Sequence, residues 1–355
     1  MLRFSSFVGL VLAIAAVASG GAGGAPSESV VMTGLDNPRG LAFGPEGALY
    51  VVEAGRGGAG PCQTLRGATQ CYGPSGAVTR LWRGHQERIA SGFPSMVSPF
   101  GDAWGAHDIS FQGRGGAYIT TGFGANPTLR SGFGEAGMGF GRLIKMSASG
   151  GWRFVADLSA HELANNPDGG LVESNPYGVL AEAGGQIVAE AAANALLHVD
   201  ASGDISTLAT FPSRAQGRLT PNGALTDAVP TAVIVGLDGA YYVPELTGQP
   251  FEEGAARIYR VVPGQAPQTF LTGFKTVLDI DFGPDGSLYV LQHATGAGIT
   301  LNSGLLVRVA PNGTRTTVRD RLNRPTSVLV GPDGALYVTS NGTSVGTGQV
   351  LRIQP

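Results

Sequence analysis

Residues 43–51 read FGPEGALYV, residues 282–290 read FGPDGSLYV and residues 330–338 read VGPDGALYV, so one nine-residue phrase is written three times. Each copy joins the end of an apolar strand to the start of the next through Pro, an acid and Gly, a β-hairpin signature. Pro presets the first central torsion, the acid bonds local backbone, and Gly takes the positive φ. Three looser copies begin at Ile109 (ISFQGRGGAYIT), Val179 (VLAEAGGQIVAE) and Val233 (VIVGLDGAYYVPE). Aligned on Gly47, Gly115, Gly184, Gly239, Gly286 and Gly334, the six copies lie 68, 69, 55, 47 and 48 residues apart. The shortest spacing suits four strands, and the excess elsewhere is loop.

Two further strand-like segments follow each hairpin, for example GAVTRLWRGHQERIASGF from Gly76 and GLLVRVAPNGTRTTVRDRL from Gly304. Six units of four strands predict an all-β protein, a six-bladed β-propeller. Tyr50, Tyr242, Tyr289 and Tyr337 recur at one position and read as packing between blades. The last unit is one strand short, because only GQVLRIQP follows its hairpin, while SVVMTGLDNPRG from Ser29 resembles the outer strand and loop LTGFKTVLD from Leu271. An N-terminal strand is therefore expected to close the last blade, leaving no open edge, with the propeller spanning residues 29–355.

The chain has 355 residues, 57 of them Gly, and only 14% are charged, which excludes a disordered chain. Residues 1–25 carry Arg3, an apolar run from Phe7 to Val17 and small residues thereafter, the pattern of a signal peptide cut between Ala18 and Ala25. The run is short for a membrane span, and no later stretch reaches about 20 apolar residues. Secretion or periplasmic location of a monomer without a membrane span is the expectation. Cys62 and Cys71, close together in an exported chain, read as one disulfide; two cysteines alone cannot build a structural zinc site. A net charge of -3 without a basic run argues against a nucleic-acid partner.

The stretches GLDNPRGLAFGPEGALYVVEAGRGG, CYGPSGAVTR, AHDISFQG, NNPDGG, SNPYG, DAVPT and GPDGALYVTSNGTSVGTGQVLRI together resemble the ScyD/ScyE family of exported propellers. The resemblance covers essentially all of the expected mature chain. Its loop motifs are more specific than the GPDG hairpins, which NHL and gluconolactonase-like six-bladed propellers share. It implies fold and export, and brings no catalytic residues.

In such a propeller the first strand of each blade lines the channel, and the loop leading into it shares a face with the loop leaving the second strand. The lead-in positions include Asn37, Arg39, His107, Asp108, Asn175, Thr231, Asp279, Arg324 and Thr326. Six residues past each turn Gly stand Glu53, Thr121, Glu190, Glu245, Gln292 and Ser340. Ordinary polar strand ends would look the same. The long insertions at 55–75, 93–106, 122–140, 157–174 and 212–229 all reach this one face, however, and elaborated loops on a rigid scaffold carry binding sites. From these rings the ligand-binding candidates are Asn37, Arg39, Glu53, His107, Asp108, Asn175, Glu190, Glu245, Asp279, Gln292 and Arg324. Glu53, Glu190 and Glu245 would suit Ca²⁺ or another divalent cation if they converge. The first expectation is a protein that binds a small molecule, glycan or protein partner there. A metal-dependent hydrolase or lactonase and a structural envelope scaffold are the alternatives. The HELAN segment at 161–165 lacks the second His of a zinc-protease helix.

Overall fold

The computed structural model describes residues 27–355 apart from 115, 216–224 and 297. The expected signal peptide and the turn residue Gly115 thus lie outside the described residues. The strands form the six blades of a β-propeller. Blade 1 runs outward through Pro38–Phe43, Leu49–Glu53, Gly73–Trp82 and His85–Val97, and the short Ala103–Trp104 pairs with the end of its outer strand. Blades 2, 3, 4 and 5 begin on Ala106–Phe111, Pro176–Glu182, Ile234–Val235 and Val277–Phe282. In blade 6 the order is Val328–Val330, Leu336–Ser340, Gly348–Gln354 and then Ser27–Leu35. The N-terminal strand closes the ring in antiparallel register, with Ser27 opposite Gln354 and Val30 opposite Leu351.

Second strands such as LYVVE at Leu49–Glu53 are buried along their whole length, because each blade is covered on both faces by its neighbours. The apolar core is accordingly divided into one cluster per blade interface. Tyr50, Val52 and Val78 of blade 1 meet Ile109, Ile119 and Ile144 of blade 2. At the closure, Met32, Leu35 and Val350 meet Leu41, Leu49 and Val51. Each such side chain contributes about 1.5–3 kcal/mol by leaving water, so closure rests on packing as well as on the strand ladder. The repeated tyrosines cross blades as expected: Tyr50 packs on Phe111 at 4.8 Å, Tyr337 on Phe43 at 5.2 Å and Tyr242 on Phe282 at 5.1 Å.

A further cluster, Leu65, Met96, Phe123, Phe133 and Phe140, lies outside the blade interfaces and anchors three of the long insertions over blades 1 and 2. The 55–75 insertion folds into a hairpin of Cys62–Leu65 and Ala68–Cys71, across which Cys62 and Cys71 form a disulfide. The 122–140 insertion holds two 3-10 turns, and 157–174 holds the chain's α-helix among the described residues, Leu158–Asn165. No described helix is long and apolar enough to cross a membrane.

Candidate functional site

A cavity of about 450 Å³ opens on the loop-rich face at the mouth of the channel. Its floor is made by first strands and lead-in loops, with Arg39, His107, Asn175, Tyr177, Leu278 and Thr326; the insertions supply walls with Arg66, Gln70, Phe100, Asp102, Trp104 and Phe251. Below it the channel narrows to a void of about 10 Å³ between His107, Asp108, Tyr177, Asp279 and Ser327. That is barely one water, so the bowl has a closed base.

The base is closed by polar bridges between neighbouring first strands, which the ring geometry prevents from pairing as a sheet. Asp108 Oδ2 accepts from Val179 N (2.8 Å) and Asp279 Oδ2 accepts from Val328 N (2.9 Å) and Ser327 Oγ (2.6 Å). Ser327 Oγ in turn accepts from Leu41 N at 3.2 Å, and Thr326 Oγ1 donates to Pro38 O at 2.7 Å, stitching blade 6 to blade 1. Burial pushes the Asp108 carboxyl up to about 7 and, with Asp108 as a like charge, holds Asp279 well above the ordinary carboxylate range.

Two histidines share one device. His107 Nδ1 lies 3.1 Å from Pro176 O and His293 Nδ1 lies 2.9 Å from Pro325 O, each reaching the lead-in of the following blade. Burial, assisted by the charge of Arg39, lowers His107 to about 3 and His293 to about 4. Both rings are neutral at neutral pH, and His107 is held by the backbone of Ala103 as well as that of Pro176. Gly122 makes room for this corner: a Cβ there would stand 2.1 Å from His107 Cε1 and 2.4 Å from Asn175 Oδ1.

Arg39 is the decisive residue. It is 6% exposed, its Nη1 donates to Gly342 O, and its Nη2 donates to Ala103 O at 3.1 Å. Nε has no partner, and among the described residues no carboxylate is within ion-pair distance of the guanidinium. Burial lowers its pKa, while Tyr177 and Asp102 oppose the shift from a distance; a guanidinium nevertheless stays charged. On the same floor, Asn175 Oδ1 is buried without a donor.

The second-strand ends lie elsewhere. Glu53, Glu190, Glu245 and Gln292 are buried, and three of them clamp the lead-in loop of their own blade. Asp36 N donates to Glu53 Oε2 (2.7 Å), Asn175 N to Glu190 Oε1 (2.5 Å) and Lys275 N to Gln292 Oε1 (2.7 Å). Glu53 is also paired with Arg88, at 2.6 Å. Burial raises Glu190 to about 7 against the pull of Ser174, Ala193 and Asn175. Glu53 and Glu190, two of the three glutamates expected to converge on a cation, therefore face loop backbone, and among the described residues no group of three or more His, Cys, Asp or Glu is arranged to hold a metal. Asn37, in a left-handed conformation at φ 52°, donates from Nδ2 to Gly55 O, and Arg324 donates to Thr343 Oγ1 at the rim.

Of the candidates, the cavity lining gathers Arg39, His107 and Asn175; Asp108 and Asp279 sit beneath it. The sequence reading missed Tyr177, His293 and the aromatic walls. Strand alternation carried a signal for the first two: Tyr177 is two residues past Asn175, and His293 follows Gln292, whose side chain is turned to its own lead-in loop.

No protein-family model and no curated protein matches the chain. Among solved structures it is similar to the soluble aldose sugar dehydrogenase of Escherichia coli in its apo form, with a TM-score of 0.57, 14% identity, and coverage of 93% of this chain and 99% of that one. It is similar as well to a streptogramin B lyase, with a TM-score of 0.51, 14% identity, and coverage of 92% and 97%. The PQQ-bound aldose sugar dehydrogenase of Streptomyces coelicolor gives a TM-score of 0.51 and 14% identity, with coverage of 93% and 98%. Likeness at this level of identity establishes the six-bladed propeller fold and nothing finer.

Proposed function

We propose that this chain is an exported propeller of the ScyD/ScyE kind that binds a small organic anion in the channel-mouth cavity. The observation that carries the reading is Arg39, a buried guanidinium with an unused Nε donor and no carboxylate partner among the described residues. A buried cation of this kind is costly unless something anionic completes it, and a carboxylate is the matching fork for Arg. Trp104, Tyr177, Phe100 and Phe251 around it suit an apolar or ring-bearing body. The Cys62–Cys71 disulfide fits an exported chain. The fold is shared with a lyase and with sugar dehydrogenases, and fold does not choose a function. What favours binding over hydrolysis is that the carboxylates beneath the bowl are committed to backbone bridges.

The test is calorimetric titration with a panel of small aromatic and aliphatic carboxylates against neutral sugars of equal size. Carboxylates should bind, and Arg39→Met should weaken them by about tenfold or more. Because Arg39 also joins Ala103 and Gly342, Asn175→Asp serves as a second variant; it adds negative charge on the cavity floor and should weaken the same ligands. Binding of neutral sugars alone, or equal affinity in both variants, would overturn the reading.

A further inference from the structure

The loop between blades 2 and 3 holds a different group of unused oxygens. Glu162, in the Leu158–Asn165 helix, is 1% exposed, yet neither carboxylate oxygen has a hydrogen-bond partner. Asn166 caps that helix, and its Oδ1 is likewise buried without a donor. The amide's orientation is fixed, because Asn166 Nδ2 donates to Gly170 O at 3.1 Å, so it is the oxygen that is left over. Asn166 N donates to Glu162 O at 2.9 Å, so the left-handed cap closes the last turn of the helix directly on Glu162.

Negative charge accumulates around these atoms. Of the neighbouring acids, Asp157 is paired with Arg130 and Arg142 (both 2.8 Å) and Glu173 with Arg66 (2.9 Å). Among the described residues no cation pairs with Asp168; its Oδ1 accepts from Gly170 N and its Oδ2 from Asn194 Nδ2, each at 2.8 Å. Burial, and then the charges of Glu190 and Asp168, push the Glu162 carboxyl up to about 8. A buried carboxyl with no donor is costly to ionise unless a cation meets it. Nothing among the described protein groups offsets it.

We propose that Glu162 and Asn166 hold a calcium ion that fastens the 158–175 loop. Two carboxylate oxygens and one amide oxygen are hard donors, as Ca²⁺ prefers, and with main-chain oxygens and water they can approach its usual six to eight. The irregular mixture of side-chain donors fits Mg²⁺, which demands a near-ideal octahedron, much less well. This site is distinct from the ring glutamates, and it differs from the channel-mouth cavity, whose lining includes neither residue. Its consequence reaches the cavity along the chain: Ser174 Oγ and Asn175 N both donate to Glu190, so the loop fastened at Glu162 ends on the floor residue Asn175.

Chelator-treated full chain would be titrated with CaCl₂ and, separately, with MgCl₂, by calorimetry and by thermal melting. One Ca²⁺ should bind with a dissociation constant on the order of 10⁻⁵–10⁻³ M, as in extracellular modules and weaker sensors, and raise the melting temperature, while Mg²⁺ at the same concentration does neither. Glu162→Gln should abolish the calcium effect while melting at or above the calcium-free parent, since it puts a side chain of the same shape that never ionises in a buried place. Asn166→Gly, which keeps the left-handed cap and removes the oxygen, should weaken binding about tenfold and carries the test if the first variant does not fold. Absence of calcium binding by the parent, or undiminished binding in whichever variant folds, would overturn the proposal.

Discussion

The two faces of the propeller treat polar side chains in opposite ways. On the tight-turn face the acid of each well-formed hairpin meets the Arg that stands opposite the repeated Tyr. The pairs are Glu46 with Arg80 (3.6 Å), Asp238 with Arg260 (2.6 Å), Asp285 with Arg308 (2.5 Å) and Asp333 with Arg352 (2.7 Å). A cavity of about 510 Å³ does open there, larger than the one at the channel mouth, but apolar Tyr50, Trp82, Phe111 and Met146 line it, and beside Arg114 its charges are Glu46 and Arg80, which are paired. On the loop face, by contrast, stand all the buried side-chain atoms left without partners among the described residues, including those of Asn37, Arg39, Glu162, Asn166, Asn175, Asn323 and Arg324. Native folds leave few such atoms and each asks for a cause. One face is finished by its own sequence repeat, and the other keeps polar atoms that the described residues do not pair.

The largest effect should come from breaking the scaffold that both faces share. Deleting residues 29–33 removes most of the Ser27–Leu35 strand, exposes the edge of Gly348–Gln354, and takes away Met32, which is 1% exposed. Lost packing of several kcal/mol and an open edge should lower the melting temperature by about ten degrees or more, or drive aggregation visible by size exclusion. Melting like the parent would show that the ring does not depend on this closure, and the contrast between its faces would then lack a common frame.

How much of this was legible in the sequence follows from the same contrast. The tight-turn face is a repeat, so FGPDGSLYV and its copies announce blade number, strand order and the missing outer strand that residues 27–35 supply. The loop face is where the copies differ. Arg39, His107 and Asn175 could be found because they hold repeat positions on first strands or their lead-ins. The ring at Glu53, Glu190 and Gln292 was located at the right level, but the last residue of a second strand turns to its own lead-in loop, and the channel side belongs to the next residue, as His293 shows. Trp104, Phe100 and Phe251 come from insertions without any repeat, and no local pattern says that such a loop folds back over the channel.

An intermediate effect should appear with pH, and it should belong to the loop face and the channel beneath it. Asp108 and Glu190, both held near 7 by burial, and Glu162, held near 8, bind protons more tightly in the folded than in the unfolded chain. Their contribution is complete below the ordinary carboxylate range and is lost as pH rises through about 7 to 8. The histidines, whose folded values lie near 3 and 4, oppose this loss while the unfolded chain still protonates them, and above about pH 7.5 they are neutral in both states and drop out. In calcium-free buffer the melting temperature should therefore fall between about pH 6.5 and 8.5, and Asp108→Asn should flatten that slope. A slope unchanged in the variant would mean that the Asp108 bridge to Val179 is made by an ordinary carboxylate.

The smallest effect should come from the opposite face. Asp285 is held at about 2, chiefly by Arg308, and so is ionised throughout that pH window. Its Oδ1 also accepts from Ser287 N at 3.0 Å, a local bond that an amide can keep. Asp285→Asn thus removes the ion pair while leaving the turn intact. Both partners are substantially exposed, with side chains 34% and 52% accessible, so solvent and salt screen most of their attraction. The expected change is about one degree or less in melting temperature, shrinking further at about 0.5 M salt, with no change in carboxylate or calcium binding. A drop of several degrees would mean that the turn acids hold the blades together, and a change in either binding reaction would mean that the two faces communicate through the strands between them.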